Sequence, residues 1–117
     1  MNRSIIFRSK RIDYGTWIYG DISTKEHYTI NGIPVFENAV GQFTGLHDKK
    51  GNMIFEGDIV IWPLENNTNH TAFISYKLGC FFYENIHVKP HPLLIVDEKK
   101  IEVIGNIHDN TELLKTK

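Results

Sequence analysis

The chain has one cysteine, Cys80, which excludes an internal disulfide framework and makes a reducing compartment the expected setting. Nor does it have an excess of either charge. Thirteen basic residues stand against 14 acidic ones, a formal net charge of −1. No global field therefore draws it to nucleic acid or to an anionic membrane, and partners must be sought locally. Long apolar runs are also missing: Ile59-Val60-Ile61-Trp62-Pro63-Leu64 is far short of the roughly 20 residues that span a bilayer as a helix. The first residues, Met1 to Arg8, show no sustained apolar core of a signal peptide. No membrane partner is expected, and the expected location is cytoplasmic. Sustained helical periodicity is absent until the last few residues.

Short β-prone runs between turn signals fill the space that these absences leave. Ser4–Arg8 and Thr16–Ile22 read as strands around the polar bend Arg11–Gly15. His27–Ile30 and Ile33–Phe36 flank Asn31-Gly32, the pair that tolerates both positive φ angles of a type I′ hairpin turn. Pro34 has no amide to donate, which places its strand at a sheet edge. Further strands are expected over 53–55, 58–62, 71–76, 80–83, 93–96 and 101–107. In the last of them Ile101, Val103 and Ile107 share a face, and Ile104 breaks the alternation. Residues 65–70 read as a polar loop, and 109–115 as a single capped helical turn.

The expected fold is mainly β: a small N-terminal antiparallel sheet packed with an SH3-like β-barrel, closed by a short C-terminal helix. At 117 residues a single domain, 1–117, is the default, with a soft subdivision into 1–38 and 39–117. Neither part alone buries enough apolar area for independent stability, so one cooperative unit is expected.

Signatures of catalysis are sparse. Cys80 lies in the aromatic, β-prone context Gly79–Tyr83, where a free cysteine serves as a small hydrophobe. No serine sits in a Gly-x-Ser-x-Gly elbow. His87 and His91 have the spacing of two helical metal ligands, but Pro90 and Pro92 forbid that helix. The glycines are followed by no Lys-Ser or Lys-Thr and open no helix, which excludes a phosphate-binding P-loop. No catalytic residue, cofactor or metal is expected.

Three blocks carry a family resemblance: Trp17–Ile22, Gly41–Val60 and Glu102–His108. In order and spacing they resemble the YopX family of small bacteriophage and prophage proteins, over roughly residues 5 to 114. His47, His108 and Asn110-Thr111 depart from the residues that family often carries there. The resemblance implies a phage or prophage accessory protein acting in the host bacterial cell. It implies no catalytic residue; Glu56-Gly57-Asp58 matches a recurrent block with no chemistry attached.

Two binding classes follow. Surplus aromatics, with adjacent Phe81 and Phe82 on opposite faces of one strand, point to a non-catalytic oligomeric interaction module, its partner a second copy or another phage or host protein. The alternative is a nucleic-acid-binding module. Arg8, Lys10 and Arg11 would contact phosphates there, and Trp17 and Tyr19 would stack on bases. Against it, Trp17 and Tyr19 share strand parity suited to covering a core, and the basic residues suit a solvated face.

Overall fold

The computed structural model describes residues 5–63, 69–84, 91–92 and 100–114. The polar loop expected over 65–70, the His87–His91 spacing and the strand expected over 93–96 fall wholly or partly outside them. The chain divides into two compact units, Met1–Gly45 and Leu46–Lys117. Among the described residues it is mainly β, with antiparallel strand pairs and only short 3₁₀ turns besides.

In the first unit β1 (Phe7–Lys10) pairs with β2 (Trp17–Gly20) in the register Phe7 to Gly20 through Lys10 to Trp17. Three very short strands, β3 (Ile22–Ser23), β4 (Thr29–Ile30) and β5 (Ile33–Pro34), form a second sheet in that order. Asn31 and Gly32 join β4 to β5 with φ of 52° and 83°, the two left-handed residues of a type I′ turn. Pro34 stands on the edge strand, where its missing amide costs nothing. After a 3₁₀ turn at Glu37–Ala39, β6 (Gly41–His47) begins beside β1, pairing Gly41 with Arg8. The sequence boundary expected at 38/39 lies at this turn, whereas the compact units meet within β6. Ile30, Val35, Ala39 and Phe43 are buried, and Ser9 Oγ donates to the Phe36 carbonyl at 2.7 Å.

The second unit holds the end of β6, then β7 (Met53–Phe55), β8 (Asp58–Pro63), β9 (Asn69–Lys77), β10 (Cys80–Glu84), β11 (His91–Pro92) and β12 (Glu102–Asn106). Its five-stranded sheet has the order β11-β10-β9-β8-β12, and the described strands close into no barrel. Ile54, Val60, Ile74 and Ile101 form the core, with Leu46, Phe81, Tyr83 and Val103 packed on it. The C-terminal segment is a 3₁₀ turn, Thr111–Leu114, packed against β9. Ile104 breaks the alternation of β12 because a bulge between Val103 and Gly105 inserts it as an extra residue, and it remains 36% exposed.

Two turns set this sheet. At the β7–β8 turn Gly57 has φ of 91°, its amide donates to the Ile74 carbonyl, and its own carbonyl accepts from Ile107. Buried Asp58 accepts the Phe55 amide at 2.7 Å. At the β6–β7 turn the Asp48 carboxylate accepts from the amides of Lys50 at 2.9 Å, Asn52 at 2.8 Å and, across the unit, Val103 at 2.9 Å. Burial pushes the Asp48 carboxyl up, but these amides and the Asn52 side chain hold it below the usual aspartate value.

A side chain at Gly57 must enter the left-handed region, and a β-branched one does so at the greatest cost. Gly57→Val is expected to lose more than about 1 kcal/mol of stability, seen as a lower chemical-denaturation midpoint; an unchanged midpoint refutes the role of the turn. The Asp48 shift has a sign. Its depressed value means stability that is present above the unfolded pKa of ~3.9 and is lost as pH falls through the folded one. Urea unfolding between about pH 6 and pH 3 should therefore decline less steeply in Asp48→Asn than in the native chain. Equal acid slopes would show that Asp48 does not contribute to it.

Candidate binding surface on the β1–β2 hairpin

Antiparallel register puts directly opposed residues on the same face. Arg8 faces Tyr19 and Lys10 faces Trp17, so all four lie together on one side of the hairpin, while Phe7, Ser9, Ile18 and Gly20 take the other. The structure thus gathers four of the five residues that the sequence singles out for nucleic acid. Their geometry is not that of an open stacking platform. The Arg8 guanidinium lies 4.7 Å from the centre of the Trp17 ring and is only 7% exposed, and the Lys10 ammonium is 5.5 Å from the same ring. Cation–π contacts of this kind contribute about 0.5–2 kcal/mol each, so the two cations and the indole support one another. Tyr19, by contrast, is half exposed.

The fifth residue, Arg11, belongs to the β1–β2 turn. Its Nε and Nη2 donate to the two Asp13 carboxylate oxygens at 2.9 and 2.8 Å, a two-pronged ion pair. Hydrogen bonding to Asp13 raises the Arg11 pKa, and the same bond lowers that of Asp13. The guanidinium also stacks 4.7 Å from the Tyr14 ring centre. The Gly15 amide donates to the Arg11 carbonyl and the Arg11 amide to the Thr16 carbonyl, both at 2.9 Å, and Gly15 supplies φ of 72°. The turn is fixed from within, and it displays Tyr14, 74% exposed, and Ile12, 54% exposed. Ile12 escaped sequence reasoning, because an isoleucine in a polar bend carries no local sign of which way it faces.

A small polar side chain closes the outer margin of β2. Asn31 Oδ1 accepts the Asp21 amide at 3.1 Å, and Asn31 Nδ2 donates to the Tyr19 carbonyl at 3.2 Å. A Cβ at Gly20 would collide with that Asn31 amide, so the glycine makes room for the plug.

The other pair named from the sequence divides between two faces. Phe81 packs on the core of the second unit and meets Tyr76 edge to face at 4.8 Å. Phe82 takes the opposite face, opposite Ser75 and partly buried. On that face Ser75 Oγ donates to Glu84 at 2.5 Å and Lys77 pairs with the same carboxylate oxygen at 2.8 Å; the bond from Lys77 and then that from Ser75 lower the Glu84 pKa. Cys80 is exposed. Among the described residues no three His, Cys, Asp or Glu side chains are grouped to hold a metal ion, and no helix is long and apolar enough to cross a membrane.

The family model described as "YopX protein" matches residues 6–115. The chain belongs to the YopX family. Comparison with curated proteins finds no match. Among solved structures the chain is similar to protein EF1440 from Enterococcus faecalis, with 25% identity, a TM-score of 0.63, and coverage of 97% of this chain and 100% of that one. The YopX match takes in the hairpin, the β6–β7 and β7–β8 turns and β12. The Glu56-Gly57-Asp58 block is seen here to be turn chemistry: a left-handed glycine followed by a carboxylate that accepts a backbone amide.

Proposed function

We propose that this YopX-family chain is a phage or prophage accessory protein of the host cell cytoplasm that works by protein contact, as a non-catalytic oligomeric module, docking through the β1–β2 hairpin. The observation that carries this reading is the exposure of Ile12, Tyr14 and Tyr19 on one pre-set hairpin. Tyrosine gives a large contact area with few rotatable bonds, and the Arg11–Asp13 fork holds the turn before a partner arrives, so little conformational entropy is lost on docking. The same proposal takes the strands after residue 39 as an opened variant of the SH3-like arrangement, an analogy of fold without functional weight.

The alternative, single-stranded nucleic acid, draws support from the shared face of Arg8, Lys10, Trp17 and Tyr19. Charge decides against it as the leading reading. Arg8 is packed against Trp17 and almost fully covered, Arg11 is held by Asp13, and the chain as a whole is near neutral. Each phosphate contact with a single strand contributes about −0.7 to the salt slope, so a face whose Arg8 and Arg11 are already engaged gives a shallow one.

Light scattering at micromolar concentration is expected to give more than the mass of one subunit. The paired substitution Ile12→Ser with Tyr14→Ala should return the mass to one subunit while lowering stability by no more than about 1 kcal/mol, the worth of the exposed Arg11–Tyr14 contact that it removes. A native chain that is monomeric throughout overturns the assembly reading. In parallel, a labelled single-stranded oligonucleotide at about 50 mM salt should show no saturable anisotropy change. Saturable binding that weakens steeply with salt, and that Lys10→Gln reduces, would transfer the function to the alternative.

A further inference from the structure

Asn31-Gly32 is the one Asn-Gly pair in the chain. A glycine leaves its own backbone nitrogen uncrowded, and that nitrogen can close on the side-chain carbon of the asparagine before it as a cyclic imide. Asn31 is exposed, so water and hydroxide reach it. The fold, however, has the carboxamide in use. Its Oδ1 accepts the Asp21 amide at 3.1 Å and its Nδ2 donates to the Tyr19 carbonyl at 3.2 Å, while the Asn31 backbone amide donates to the Asp21 carbonyl at 3.0 Å. The nitrogen that cyclisation must expel is therefore the one bonded to the margin of β2. Gly20 is the seat of this plug, since a Cβ there would overlap the carboxamide.

We propose that Asn31 is a modification site: a one-way deamidation switch that its own hydrogen bonds hold off, and whose product releases the margin of β2. The Gly32 nitrogen, giving up its proton to hydroxide, forms a bond to Asn31 Cγ; the Cγ–Nδ2 bond breaks, and Nδ2 leaves as ammonia. Water then opens the imide at Cγ, which gives aspartate, or at the backbone carbonyl, which gives isoaspartate. Water is the only co-reactant. Aspartate has no donor for the Tyr19 carbonyl and sets an anionic oxygen against it. Isoaspartate lengthens the main chain inside a two-residue turn whose φ values of 52° and 83° suit type I′ geometry alone. Either product unseats the plug and frees the strand that carries half-exposed Tyr19. Because the seated carboxamide is protected, the switch converts only those copies in which this seam has opened.

The full-length chain is to be held in mildly alkaline buffer, folded or unfolded in urea, and amide loss at Asn31 followed by peptide mass mapping. Two bonds must break before cyclisation, so the folded chain is expected to lose the amide at least about tenfold more slowly than the unfolded one. Gly20→Ala, which evicts the carboxamide but keeps Asn31-Gly32, should lose it faster than the native chain while still folded. Should Gly20→Ala fail to fold, the native chain in urea below its unfolding transition serves instead, with amide loss expected to accelerate before the global transition. The deamidated fraction, separated by ion exchange, should exchange the Asp21 amide hydrogen faster than the unmodified chain. These readouts do not depend on what docks on the hairpin. Equal rates of amide loss in folded and unfolded chains, a folded Gly20→Ala chain no faster than the native one, loss that follows global unfolding alone, or a deamidated fraction with unchanged exchange at Asp21 would each overturn the proposal.

Discussion

Every backbone amide and carbonyl withdrawn from water needs a partner, and in a protein built from strands of two to nine residues the ladders alone do not supply enough. Small polar side chains make up the difference. Asp48 draws together the amides of a turn and of a strand 55 residues away; Asp58 holds the Phe55 amide; Asn31 bridges the two sides of Gly20; Asn110 closes onto Asn106. Each of these bonds fixes where a strand stops, and a buried donor left unmade costs about 1–3 kcal/mol. The apolar core fills the space that this polar framework marks out.

The same economy shapes the surface of the first unit. Cations that look available in the sequence are engaged inside the fold, Arg8 and Lys10 with an indole and Arg11 with a carboxylate. What the hairpin presents outward is aromatic and aliphatic instead. Composition was informative at the level of the whole chain, where charge balances, but not at the level of the site, where the choice of partner for each guanidinium is a matter of strand register.

Legibility followed the range of the interaction. The Asn31-Gly32 turn and the edge position of Pro34 were readable because each depends on one or two residues' own dihedral preferences. The shared parity of Trp17 and Tyr19 was readable from strand period, and their pairing with Lys10 and Arg8 was not, since it depends on which residues the intervening turn brings opposite. The irregularity at Ile104 was visible in sequence, while its cause, a bulge facing β8, was a property of two strands together. Asp48's bonds to Lys50 and Asn52 and Asn110's to Asn106 are local turn chemistry, whereas the bond from Val103 to Asp48, 55 residues apart, left no local trace. Leu78-Gly79 was missed for the contrary reason: leucine is a poor left-handed residue, yet Leu78 has φ of 52° and Gly79 of 80° in the turn between β9 and β10.

That turn has a consequence for which residue substitutions and insertions the second unit tolerates. With only Leu78 and Gly79 between Lys77 and Cys80, the loop length alone decides that Tyr83 stands opposite Ile74 and Phe81 opposite Tyr76, over the core. One added residue would slide β10 by a single position and reverse every side chain on it. Phe82 would then turn inward and Phe81 outward, and Glu84 would be carried away from Lys77 and Ser75. Phe82 would replace one aromatic ring of the core, but Tyr83 would leave it and Glu84 would turn in beside buried Ala72, so the slip would cost the ion pair and bury an unpaired carboxylate.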